Sequence, residues 1–170
     1  MPPGGWAYPV APPKPPWAGP PLASWGSRVG ARLLDGLVIL IAVALLAVPG
    51  VALLIAGSNV AGVVLLVLSG FGYLAIYVFY GACFMQRQGD RNGQTPGKQW
   101  VGIRVVRDTG EAYDLGSGLL REFVVKELLF AWVGGFFLGI PWLVDVLWPL
   151  WEDENRALHD LIVKSHVVQV

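Results

Sequence analysis

Arg28, Arg32 and Asp35 are the residues of this 170-residue chain whose types and spacing point most directly to chemistry. Arg28 and Asp35 are seven apart, so on a helix they fall on nearly one face, two turns from each other. Arg32 and Asp35 are three apart and can pair directly. Arg32 is therefore the expected local partner of Asp35, and Arg28 is left free to meet an acid from elsewhere. Arginines at the end of a membrane span can be simple anchors with their heads in water. Asp35 argues for more, because a carboxylate a turn or more inside an apolar span is costly and marks function by default. Beside an arginine, such a group can exchange a proton or a cation.

Other candidate chemistry is weaker. His159 stands beside Asp160, but no serine or cysteine nucleophile accompanies them in a motif. No catalytic residue is assigned and no enzyme activity is expected. Gly93-Gln94-Thr95-Pro96-Gly97-Lys98-Gln99 has the flavour of a phosphate loop with the wrong spacing, and Gln99 cannot supply the hydroxyl that magnesium needs. That stretch reads as a turn, and no cofactor is expected. The single cysteine, Cys83, sits in an apolar run; it permits no internal disulfide or metal cluster and reads as a small packing hydrophobe. The formal net charge of zero implies no nucleic-acid patch.

The elements that must position these residues are membrane elements. Hydrophobic residues make up 55% of the chain and charged ones only 14%, a balance rare in soluble domains of this size. Apart from Cys83 and the tyrosines, no ionisable group interrupts the run between Asp35 and Arg87. A bilayer core of about 30 Å takes roughly 20 apolar residues as a helix, so this run holds two spans, about 31–56 and 60–85. Gly57-Ser58-Asn59 is the turn between them, and Pro49-Gly50 is a candidate kink. Gly62, Ser69, Gly70 and Gly81 would let helices approach closely. Tyr73, Tyr77 and Tyr80 share a face of the second span, as packing groups or as a hydroxyl stripe facing a polar cavity. Lys and Arg flank both spans and are missing from the turn. The positive-inside rule then puts the N-terminus and the insert 86–118 in the cytoplasm.

Residues 1–22 are rich in Pro and Gly and read as a disordered head with polyproline character, a tail or a ligand for a partner's groove. It has no secretory-signal pattern. Within the insert, Lys98–Arg107 reads as a strand, Asp108-Thr109-Gly110 as a turn and Glu111–Tyr113 as a return strand. Ser117 is a candidate cap for a helix from Leu119. Glu122 and Lys126 form an i,i+4 pair on that helix, which reads as amphipathic and interfacial. Either residues 128–151 form one span with the tail outside, or the segment 119–151 is broken near 134–141 and returns, leaving the tail inside. The second fits better, because Leu161–Val170 reads as a strand that needs Val101–Arg107 as its partner.

Three stretches resemble the RDD family of bacterial membrane proteins. They are Ala23-Ser24-Trp25-Gly26-Ser27-Arg28 with Ala31-Arg32-Leu33-Leu34-Asp35-Gly36, then Gly93–Lys98 with Val101–Val106, and Asp145–Trp151 with Leu158-His159-Asp160. The resemblance covers about 23–170. It implies that Arg28 is the family's arginine and Asp35 its first aspartate, with Asp160 preferred over Asp145 as the second. The acidic Glu152-Asp153-Glu154 departs from the pattern.

The expectation is thus an all-α integral membrane protein, a transmembrane helical bundle with a small cytoplasmic β element. It would sit multi-pass in a bacterial plasma membrane with its N-terminus cytoplasmic. Its partners would be the lipid bilayer and either further copies in a homo-oligomer or another membrane protein. Two functions compete: transport of an ion or small ligand through the Arg/Asp cluster, and a structural or partner-recruiting role in which the cluster is an assembly pin.

Overall fold

Ser24 starts the first helix. Its side chain accepts the backbone N–H of Ser27, the bond that satisfies a free donor at a helix start. Helix α1 accordingly runs Trp25–Ile55, six residues earlier than the apolar pattern alone indicated, and Pro49 lies inside it. The turn at Gly57, with φ of 81°, leads to α2, Asn59–Met85. In this computed structural model, which describes residues 17–170, α1 and α2 are the two helices long and apolar enough to cross a membrane.

Small residues weld the two helices. A Cβ on Gly62 would come within 2.9 Å of the Gly50 carbonyl, and Gly81 gives α2 the same close approach to Glu122, in the segment that follows the insert. Ser69 donates to the Leu46 carbonyl across the pair at 2.6 Å. Gly70 faces open space instead. Cys83 is exposed, so it does not pack inside the fold as expected.

The insert differs from its reading. Thr95 caps a short helix α3, Pro96–Val101, and Gly102 ends it in a left-handed conformation with φ of 70°. The strand β1 therefore begins only at Ile103 and ends at Arg107. No return strand forms over Glu111–Tyr113; Asn92 takes both backbone groups of Tyr113 through its side-chain amide, each at 2.8 Å. The partner of β1 is β2, Ser165–Gln169, antiparallel, with Val105 opposite Val167. The tail strand thus pairs where the sequence placed it, but starts later, because Leu158–Ile162 forms helix α6.

Asp114, not Ser117, caps α4, Leu115–Leu119; Ser117 answers as the third residue of a capping box. α4 runs directly into a π-helical stretch, Leu120–Val133. The chain then breaks at Leu138 and Gly139, with φ of 57° and 75°, and returns as α5, Ile140–Leu147. The broken, returning architecture is the one that forms. It brings the tail back to the start of α1.

The head expected to be disordered over 1–22 lies outside the described residues up to position 16. Residues 17–22 are fastened down. The Trp17 ring stacks on His166 at 4.1 Å, Leu22 bridges to Val168, and the Gln169 N–H donates to the Pro21 carbonyl at 2.8 Å. Beneath this sheet, Ala31, Met85, Ile103, Val105 and Val167 form the apolar core.

Candidate functional site: a buried charge network

Asp35 does not pair with Arg32. Its Oδ1 accepts the Tyr80 hydroxyl and the Gly97 N–H, each at 2.8 Å, and its Oδ2 accepts the Thr95 hydroxyl at 2.5 Å. One carboxylate thus ties α1 to α2 and to the start of α3. Gly97 is required here, because a Cβ would run into the Ala31 carbonyl of α1. Arg32 turns instead to Glu127, which also accepts the Tyr77 hydroxyl at 2.8 Å. The local pairing fails because the π segment delivers a second acid that sequence spacing does not show.

Arg28 meets the far end of the chain. Its Nη1 lies 2.6 Å from Asp160 Oδ2. Asp160 is fully buried, and its other oxygen takes Arg121 Nη2 at 2.5 Å. Arg121 also contacts Glu122, which Lys98 reaches at 2.7 Å and Lys126 at 2.9 Å. The expected Glu122–Lys126 pair therefore exists, and the segment buries Arg121 and Glu122 while it exposes Leu120, Val124, Leu128 and Trp132. Asp145 joins through His159: it accepts the His159 backbone N–H at 2.8 Å and lies 2.8 Å from the ring Nδ1, while the ring Nε2 lies 3.3 Å from Arg121 Nη2. Glu152 and Glu154, the acidic departure from the family pattern, hold Arg156 at 2.5 and 2.9 Å.

Burial sets the electrostatics at the sheet end. Burial alone would raise the Asp160 carboxyl; Arg121, His159 and Arg28 outweigh it and hold the group well below the usual carboxylate range. Lys98 goes the other way. Burial, aided by Arg121 and Lys126, pushes its ammonium down to about 8 against the pull of Glu122.

Two cavities flank the network. A space of about 230 Å³ between α1, α2 and the π segment is lined by Arg32, Asp35, Tyr73, Tyr77, Tyr80 and Glu127 among others. A second, of about 280 Å³, lies between the start of α1 and α5. The tyrosine face of α2 is thus a hydroxyl stripe aimed at carboxylates as well as a packing surface. Sequence reasoning brought Arg28, Asp35 and Asp160 forward and set Lys98, Arg121, Glu122 and Glu127 aside. The available signal was the quartet Arg121, Glu122, Lys126 and Glu127 in an otherwise apolar region. Its like charges repeat every five residues, the spacing that a π helix brings into line.

Two apolar helices of spanning length, closed at one end by a helix-and-strand unit pinned through buried ion pairs, define a helical membrane protein. The chain belongs to the RDD family, a membrane family whose sequence pattern it matches over residues 22–164. No curated protein and no solved structure matches it.

Proposed function

We propose that the protein carries a proton-coupled flux across a bacterial plasma membrane, with the cavity beside Arg32 and Glu127 as the exchange site. Both α1 and α2 cross the bilayer in this reading, and the sheet, insert and N-terminus share the cytoplasmic side that their Lys and Arg residues favour. The observation that carries the proposal is that cavity. It holds an Arg–Glu pair and a tyrosine hydroxyl at the level of the spans, where an ionisable group is expensive to keep. Protonation of Glu127 would release Arg32, and the released guanidinium would drive a change of access. Two spans enclose no pathway alone, so copies assemble around it as a homo-oligomer. No enzyme activity belongs to this reading.

The structural alternative has its own observation: Asp35 is fully engaged by neutral donors from two other elements, and Arg28–Asp160–Arg121 closes the tail. The two readings therefore divide the charges, with pins at Asp35 and Asp160 and exchange at Glu127. The test is purified protein in vesicles carrying a pH-sensitive dye. The expected result is a proton flux that Glu127→Gln abolishes while the variant stays folded and inserted. Absence of flux from the unmodified protein, or flux unchanged by Glu127→Gln, would leave the assembly role alone.

A further inference from the structure

We infer that the second cavity, between the start of α1 and α5, binds the phosphate headgroup of an anionic phospholipid. The exchange reading concerns the other cavity, although Arg32 and Asp35 line both. The space of about 280 Å³ has two kinds of wall. Trp25, Val29 and Leu33 of α1 face Trp142, Val146 and Pro149 on an apolar side. Arg28, Arg32, Lys98, Arg121 and Lys126 furnish a cationic side. Leu33 and Trp142 are 70% and 45% exposed, so the apolar wall continues onto the outer surface of α1. A small soluble anion gains nothing from that wall. A molecule with a phosphate at one end and a hydrocarbon chain at the other uses both.

The cationic side has donors to spare. Among the described residues the five cations share three carboxylates: Arg28 and Arg121 meet Asp160, Arg121, Lys98 and Lys126 meet Glu122, and Arg32 meets Glu127. Asp35 and Asp145 also reach the cavity wall, but their oxygens are taken by hydroxyl and N–H donors of Tyr80, Thr95, Gly97 and His159. Arg28 commits Nη1 to Asp160, while its Nε and Nη2 are buried and have no acceptor among the described residues. A buried donor without an acceptor is costly and calls for a missing group. A phosphate oxygen is the fitting acceptor, since a guanidinium offers a planar fork matched to it. Basic pockets between helices at a membrane surface recognise lipid headgroups by this chemistry.

The test is native mass spectrometry of the full chain released from mixed micelles holding equal phosphatidylglycerol and phosphatidylcholine. Phosphatidylglycerol should be retained at about a tenfold preference, a difference of about 1.4 kcal/mol in binding. Arg28→Lys keeps a charge for Asp160 but removes the forked donor, and should erase most of that preference. Val146→Trp fills the cavity from α5 without touching an ion pair, and should erase it too; this variant decides the matter if Arg28→Lys does not fold. Equal retention of the two lipids, or a preference unchanged in the folded variants, overturns the proposal. Displacement of phosphatidylglycerol by millimolar inorganic phosphate would also overturn it, making the ligand a free anion.

Discussion

Arg28 Nη1 and Asp160 Oδ2 lie 2.6 Å apart although 132 positions separate them in the chain. The contact joins the first turns of α1 to α6, and Asp160 holds Arg121 with its other oxygen. Removing the aspartate therefore strands Arg28 and takes from Arg121 one of its two carboxylates, whereas removing Arg28 leaves Asp160 still paired with Arg121.

The first prediction is an asymmetry. Asp160→Ala should cost more stability than Arg28→Ala, with losses on the order of 3–5 kcal/mol for the aspartate. The double variant should lose less than the sum, by about 1–3 kcal/mol. Reversing the pair as Arg28→Asp with Asp160→Arg should not restore stability, since the new arginine would face Arg121. Unfolding in detergent measures all four proteins, and additive losses would refute the coupling.

Asp35→Asn tests the division of roles. The amide oxygen in place of Oδ1 still accepts from the Tyr80 hydroxyl and the Gly97 N–H, and only the Thr95 hydroxyl need turn to accept from the amide NH2. The loss should be modest, roughly 1–3 kcal/mol, and flux should survive. Flux lost in a folded Asp35→Asn protein would move the exchange site from Glu127 to Asp35.

Lys98 predicts a pH dependence. Its folded value of about 8 lies below the ordinary 10.5, so between them the unfolded chain holds a proton that the folded chain has released. Stability contributed by this group therefore rises as pH climbs from about 8 to 10.5, and is lowest below 8. The melting temperature of the wild type should gain on that of Lys98→Met across this window. A constant difference between the two proteins would show that Lys98 is not depressed.

The last prediction concerns the segment ahead of α1. Deleting residues 1–16 should leave the melting temperature nearly unchanged, while deleting 1–21 should lower it. The second cut removes the Trp17 ring from His166 and the Pro21 carbonyl from Gln169. Equal melting temperatures for the two truncations would show that these contacts add nothing.

The spans were legible because an uncharged run of that length has few alternatives to a membrane helix, and the break at 138–139 was legible through Gly134-Gly135, Gly139 and Pro141. The β1–β2 pairing was legible because the tail needed an edge and Val101–Arg107 was the longer of the insert's candidate strands. What escaped depends on distant neighbours. Arg32 had a suitable acid three residues away, yet Glu127 arrives with a tyrosine beside it and takes the guanidinium. Lys98 looked like part of a failed phosphate loop because nothing local reveals Glu122. Thr95 and Gly97 read as turn residues, and they are, but the same turn hands a hydroxyl and an N–H to Asp35. The return strand at 111–113 was lost to a single side chain, that of Asn92.

The place of β2, last in the chain yet laid against both β1 and Leu22, sets an order of events during biogenesis. A ribosome adds about 5–20 residues per second, so Arg28 waits roughly 7–26 s for Asp160 across the 132 intervening positions. For the part of that interval after Met85, α1 and α2 are made while Arg28 still lacks Asp160. The nascent chain must hold that guanidinium in water or against lipid headgroups until its final strand arrives. Stalling synthesis before Asp160 would leave a membrane-inserted intermediate with its cationic base open to quality-control proteases.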